Sequence, residues 1–496
     1  MTKEERINQY LQWQKLCNAY TLSASIVSFD KSTIAPNRGK EFSNEMSSIL
    51  SGEYFKVYVD QKQLDNINEL LKCDDLEYDL KRELELVKIS FDNTSCIPQN
   101  EYMEFNKVIN DSMDIWEKAK EYSDYNLFKP HLEKIVNLGN KIVSYRKKDV
   151  FNEYLNDYER GMNKEKYDLF FDQIEKELVP FIKKVTKKNL DLDYSILNTE
   201  VDIETQKEIT KHFCDYLGFD SDWAYFTESV HPFTSPVSKN DIRLTTKYLK
   251  DAFLSNIFSV IHELGHGIFE HQVDDKYNGR MIGSQITSGL HESQSRLLEN
   301  YIGRSYAFWE YNYPIIQEKI PAFNNISLDD FYKLINKVSC SKIRIEADEL
   351  TYPIHILIRY RIEEQIINGK VSVDELPSLW NKYMKDYLGV DVKKDSEGIL
   401  QDVHWSQAAL GYFPTYALGS ACAAQIFDKM SRELNVEDLL RNNQFKVISE
   451  WLKDNIHKYS GLYNVDEVLI RLTNNKFDPQ YYINYLKDKF TKIYDL

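Results

Sequence analysis

Over roughly the first 185 residues, apolar side chains recur at three- and four-residue spacing with charges between them. The stretch Tyr78-Leu80-Leu84-Leu86-Val87-Ile89 shows it most clearly. That period predicts a series of amphipathic helices. Cys96-Ile97-Pro98-Gln99 and Lys129-Pro130 read as helix boundaries, since proline lacks a donor and restrains the residue before it. From Asn189 to Thr205 the chain turns polar and irregular, which predicts a joint between two lobes, with a boundary near 186–205. The pattern changes between Trp223 and Thr246. His231-Pro232-Phe233-Thr234-Ser235-Pro236 cannot lie inside a helix, and Asp241-Ile242-Arg243-Leu244-Thr245-Thr246 alternates like a short strand. A free edge on that strand would suit an extended peptide; the plainer reading is an edge strand that caps the core. After residue 285 the pattern is helical to the end, with no internal repeat. The expected fold is mostly α, with a small β-element ahead of one unusual helix.

That helix begins with Ala252-Phe253-Leu254-Ser255-Asn256-Ile257-Phe258-Ser259-Val260-Ile261 and runs into His262-Glu263-Leu264-Gly265-His266. Residues four apart share a helix face, so His262 and His266 can both turn a ring nitrogen to one metal ion. Glu263 is rotated by about 100° from His262, beside the ion, where a carboxylate can take a proton from activated water. This is the arrangement that zinc peptidases place on a helix. Burying two imidazoles and a carboxylate on an apolar helix is unfavourable unless something binds them. Gly265 and Gly267 weaken the helix, which points to close approach of another backbone or of a ligand.

Composition narrows the setting. Only 17 glycines and 12 prolines occur in 496 residues, against typical usage of about 7% and 5%, which favours long helices over turn-rich β-folds. The 34 tyrosines and 25 phenylalanines can fill an extended core. A formal net charge of -16 argues against nucleic acid and anionic membrane as partners, and requires any anion pocket to be locally basic. The six cysteines are scattered without a C-x-x-C and read as free core thiols. With no apolar leader and no run near 18 apolar residues, a cytoplasmic chain is expected.

Two histidines leave a tetrahedral zinc one protein ligand short. The extended H-E-x-x-H-x-x-G-x-x-H pattern is excluded, because Phe269 and Gln272 stand where its Gly and His would be. His271 is five residues past His266 and points elsewhere. Glu292 and Glu299, seven apart on the next helical segment, can each reach the ion, and turn residues between 272 and 284 allow that segment to return.

Six short motifs occur in order: His231-Pro232-Phe233, Asp241-x-Arg243-x-Thr245, His262-Glu263-x-x-His266, His291-Glu292-Ser293-Gln294, Ile343-Arg344-x-x-Ala347-Asp348 and Gly398-x-x-Gln401-Asp402-x-His404-Trp405. This series resembles the carboxypeptidase Taq family of thermostable metallocarboxypeptidases. The resemblance implies a two-lobed, mostly helical zincin fold with a deep groove, like neurolysin and angiotensin-converting enzyme. It implies Glu292 as the third ligand and Glu263 as general base. It also implies zinc, with cobalt supporting some members, and a homodimer acting on peptides.

On that reading His404, Tyr412 and Tyr416 are the candidates for stabilising the oxyanion, with the choice of tyrosine open. An exopeptidase must also hold the free C-terminal carboxylate, a task suited to a guanidinium. Arg344 leads, with the alternative of a helix ion pair to Asp348. Arg243 is second, and His231 is expected to bind substrate or shape the groove. Asp402 is expected to orient His404 or a ligand histidine. An oligoendopeptidase or dipeptidyl carboxypeptidase on the same scaffold is the nearest alternative, and a non-catalytic binding protein is the alternative of another class.

Overall fold

The computed structural model describes residues 1–188 and 190–496, apart from the side chains of Asn37 and Ser284. Helices α1 (Lys3–Thr33), α2 (Lys40–Tyr58), α3 (Gln61–Leu70), α4 (Tyr78–Ser95), α5 (Gln99–Tyr122), α6 (Tyr125–Ser144), α7 (Val150–Tyr158), α8 (Lys164–Val185) and α9 (Ile203–Tyr216) come first. Strands β1 (Ala224–Glu228), β2 (Thr234–Ser238) and β3 (Asp241–Thr246) follow. Next come α10 (Phe253–His271), α11 (Ser288–Arg296), α12 (Tyr306–Lys319), α13 (Leu328–Ile335), α14 (Tyr352–Ile367), α15 (Leu376–Tyr383) and α16 (Pro414–Glu433). The chain closes with α17 (Val436–Arg441), α18 (Phe445–Asn455), α19 (Val465–Thr473) and α20 (Gln480–Tyr494).

The break at residues 96–99 is where the sequence places it, between α4 and α5. The boundary expected at Lys129-Pro130 is corrected. Asp124 caps α6 by accepting from the Asn126 amide, and Pro130 lies inside that helix. Pro130 is the sixth residue of that helix and leaves the Asn126 carbonyl without its usual donor, a single lost bond that the 20-residue helix, buried along one face, carries. Asn189, where the expected lobe joint begins, lies outside the described residues. The rest of that stretch carries one short 3-10 turn, Tyr194–Asn198. One large apolar core runs from α5 to α20, spanning both sides of that stretch, while a smaller one joins α1, α3 and α4 to Met281.

The sheet has the order β1-β3-β2, with β1 parallel and β2 antiparallel to β3. The free edge expected on Asp241–Thr246 is therefore not there. That strand is central because it pairs along both edges, while Ile242 and Leu244, fully buried on one face, pack against Gly267 of α10. The edges pass to β1 and β2. A cleft of about 1330 Å³ runs past β2, bounded by Tyr54, Tyr58, Pro236, Val237 and Glu270. No disulfide joins the six cysteines, of which Cys17, Cys214 and Cys422 are buried and Cys96 is exposed. Among the described residues no helix is long and apolar enough to cross a membrane.

Candidate metal centre

Helix α10 is apolar nearly all round and buried to match. Its one polar core residue near the start, Asn256, accepts from Thr210 Oγ1 and donates to Thr246 Oγ1, both at 2.9 Å, tying α10 to α9 and β3. A Cβ on Gly265 would lie 2.6 Å from Ser295 Cα, so only glycine lets α11 pack this close. Gly419 plays the same part for α16, where a Cβ would sit 2.6 Å from Glu292 Cγ.

These contacts bring three side chains together. One ligand atom from each of His262, His266 and Glu292 lies within 4.8 Å of the other two, and among the described residues this is the one such cluster. Glu292 Oε2 stands 3.9 Å from His262 Nε2 and 3.6 Å from His266 Nε2. Those gaps are too long for hydrogen bonds. They are close to the ~3.4 Å that separates two ligands on a tetrahedral ion with bonds of about 2.1 Å. Two imidazoles and one carboxylate also match the donor chemistry of a catalytic zinc site, so the residues fit the ion.

Glu299 takes the other side of His262, its Oε2 2.9 Å from Nδ1. That bond fixes the ring and leaves Nε2 to face the cluster. The choice between Glu292 and Glu299 thus resolves into two positions, one in the cluster and one behind it. Arg296 joins them, donating from Nε to Glu292 Oε1 at 2.6 Å and from Nη1 to Glu299 Oε2 at 3.1 Å. Burial alone would raise both carboxyls, but Arg296 overrides it and holds both below their ordinary range, Glu299 at about 2. The His266 ring stacks on His291 at 4.2 Å and 14°, and His291 bonds Glu270 at 3.0 Å. Burial and the neighbouring His291 push His266 down to about 3, so its ring is neutral and able to bind a metal. His271 faces away, stacked on Trp223 and bonded to the Lys239 carbonyl.

Glu263 is 7% exposed, and burial raises its carboxyl above the ordinary value. Thr234 Oγ1 donates to its Oε2 at 2.6 Å, a partner that comes from β2. The candidate base is thereby held by the same strand that borders the cleft.

The opposite wall carries His404, Tyr412 and Tyr416. His404 Nε2 is 3.1 Å from Tyr416 Oη, and its ring stacks on Tyr412 at 5.6 Å. Burial lowers His404 to about 4 and, aided by Glu292, raises Tyr412 to about 12. At neutral pH the group is therefore a neutral imidazole and neutral phenols. Asp402 does not orient His404, contrary to expectation. It accepts from Arg344 (Nε 3.0 Å, Nη2 2.9 Å) and from Arg359 (Nε 2.7 Å), two guanidiniums whose pull is far stronger than that of a neutral ring. The Arg344–Asp348 helix pair, the alternative reading of Arg344, is absent. Residues 344–346 form a 3-10 turn, and Asp348 caps the following turn by accepting from the Leu350 and Thr351 amides. Arg344 is 7% exposed and also donates to Tyr352 Oη at 3.2 Å. Arg243 is engaged by Asp241 through Nε and Nη2, both at 3.0 Å. His231 lies on the exposed turn before β2, where Ser229 Oγ donates to its carbonyl.

Sequence reasoning missed Thr234, Arg296, Tyr352, Arg359 and Glu363. Glu363 is fully buried and accepts from Trp405 Nε1 at 2.8 Å and the Gly411 amide at 3.1 Å, pinning the segment that carries His404 and Tyr412. Arg296 was detectable, since it stands four residues after Glu292 and three before Glu299. The others act across long sequence separations that leave no local signal.

Residues 9–490 match the model of the carboxypeptidase Taq (M32) metallopeptidases. Carboxypeptidase 1 of Bacillus subtilis (strain 168) is 36% identical over 98% of each chain. Thermostable carboxypeptidase 1 of Pyrococcus furiosus is 30% identical, covering 89% of this chain and 88% of its own. The crystal structure of the M32 carboxypeptidase from Deinococcus radiodurans R1 superposes with a TM-score of 0.95 at 26% identity, over 99% of this chain and all of that one. With its imidazole and carboxylate cluster and its full-length match, the chain belongs to the carboxypeptidase Taq (M32) family and is a metal-dependent peptide hydrolase.

Proposed function

We propose that the chain removes residues singly from the free C-terminus of short peptides, with one divalent ion, zinc in the first instance and cobalt as an alternative, held by His262, His266 and Glu292. The observation that carries this reading is the convergence of those three side chains within 4.8 Å, with Glu263 on the adjacent helix position. A divalent ion there supplies Lewis acidity, lowering the pKa of water and polarising the scissile carbonyl. Glu263 takes the proton of the attacking water and passes it to the leaving amine. Thr234 occupies one of its oxygens and leaves the other for that proton. His404, with Tyr416 or Tyr412, donates to the oxyanion.

Arg344 is the carboxylate anchor in this reading. A guanidinium has five N–H donors, and Asp402 and Tyr352 do not use them all. Together Arg344, Arg359 and Asp402 keep a net positive charge, as an anion pocket in so acidic a chain requires. Arg243, closed on Asp241, is the weaker anchor and shapes the β-sheet side with His231.

An unblocked peptide and its C-terminally amidated twin test the reading. The unblocked peptide should lose residues one at a time and the amidated one should persist; equal internal cleavage of both would establish an endopeptidase instead. A chelator should abolish release, and zinc or cobalt should restore it. A cytoplasmic homodimer is part of the same proposal, and a monomer in sedimentation velocity would remove that part.

A further inference from the structure

Tyr352 is the first residue of α14 and is 6% exposed. Its position is fixed by the Asp348 cap just before it, which accepts from the Leu350 and Thr351 amides at 3.0 Å. Its hydroxyl oxygen accepts twice, from Arg296 Nη2 at 3.0 Å and from Arg344 Nη1 at 3.2 Å. The Arg296 guanidinium also lies 4.4 Å from the centre of its ring.

The two arginines serve different tasks. Arg296 grips Glu292 and Glu299 behind the metal cluster. Arg344 is bound to Asp402 on the opposite wall. Two buried guanidiniums repel each other, and no carboxylate bridges this pair: Arg296 is paired with Glu292 and Glu299, and Arg344 shares Asp402 with Arg359. A phenol oxygen accepts from both without adding charge. The ring is buried against the Arg296 guanidinium.

We propose that Tyr352 is a positioning residue that sets the distance between the metal ligand Glu292 and the carboxylate anchor Arg344. This rests on the reading of Arg344 given above. A carboxypeptidase cuts a fixed distance from the chain end, so the spacing between ion and anchor decides which bond is presented. In this molecule one hydroxyl links the two.

Tyr352→Phe keeps the ring and its stacking on Arg296 and removes the shared acceptor. Two measurements decide the matter, on variants whose melting curves show a folded chain. The first is the rate at which a chelator strips zinc from the purified protein, which needs no substrate. It should rise about tenfold, at the low end of what loss of an outer partner of a metal ligand brings. The second is KM for unblocked peptides, which should rise by a similar factor, and by much less when Arg344 is already Gln, because both changes then act on one interaction. An unchanged stripping rate overturns the proposal by itself. So does a Tyr352→Phe effect on KM that is undiminished in the Arg344→Gln background. If the wild-type protein released no C-terminal residue at all, the functional reading would fail, while the stripping rate would still judge the link from Tyr352 to Glu292.

Discussion

On one wall of the site, His262, His266, Glu292 and Glu299 stand on two consecutive helical segments pressed together at Gly265. On the other, His404 and Tyr412 hang from short turns and a positive-φ glycine, Gly411, held by Glu363 and the Asp402 pairs. The first wall is rigid through helix packing and neighbours three, four and seven residues apart. The second is rigid only through buried polar contacts between distant parts of the chain. Loss of a ligand or of its orienting partner on the first wall should therefore appear in metal retention, whereas loss of the base Glu263 or damage to the second wall should appear in turnover with metal retained.

The largest expected effect is that of Glu263→Gln. Metal content should hold while turnover falls by about 10²–10⁴; near-normal turnover with metal confirmed would remove Glu263 as the base. His404→Ala follows, with kcat down by about 10²–10³ and the zinc stripping rate unchanged, as for a lost oxyanion donor. Faster stripping in that variant would break the division between the walls. Glu299→Ala should do the opposite, weakening metal affinity about 10- to 100-fold through loss of the bond to His262 Nδ1. Titration against a competing chelator reads this directly, and an affinity equal to wild type would show that His262 needs no orienting carboxylate. Thr234→Val should lower kcat about tenfold with little change in KM, and Thr234→Ser should restore it. A serine variant no better than valine would mean that packing in β2 matters and the hydroxyl does not.

The last test reads stability rather than activity, through pH. Burial raises Glu363 from 4.5 to about 8, against the opposing bonds from Trp405 and Gly411. Its folded form holds a proton that the unfolded chain has already released, so its contribution is full below pH 4.5 and is lost as pH rises toward about 8. Urea midpoints of the wild type should therefore fall more steeply between pH 5 and 8 than those of Glu363→Gln. Parallel curves would place the Glu363 carboxyl at an ordinary pKa.

Most of the first wall could be read from the sequence. The spacing of His262 and His266, the rotation of Glu263 and the shared face of Glu292 and Glu299 are consequences of helical period alone. Even Arg296 lay within reach of the same rule. The second wall could be located, through the run Gly398 to Tyr416, but not explained. Asp402 is assigned to His404 or a ligand histidine, and Asp348 is the only partner weighed for Arg344, because short separations are all the sequence offers. Glu363, Arg359 and Tyr352 sit in an apolar helix whose pattern is nearly uniform, so nothing marks which residues face the site.

The chain's periodicity by itself determined the helical class, the existence of strand β3 and the shared face of His262 and His266 on α10, because those follow from contacts within a few residues. Tertiary structure alone decided that β3 is central, that Glu292 faces the cluster while Glu299 stands behind His262, and that Asp402 serves two arginines. Those outcomes depend on which distant groups come to share a low-dielectric interior, where a buried charge takes the strongest partner that packing brings within reach.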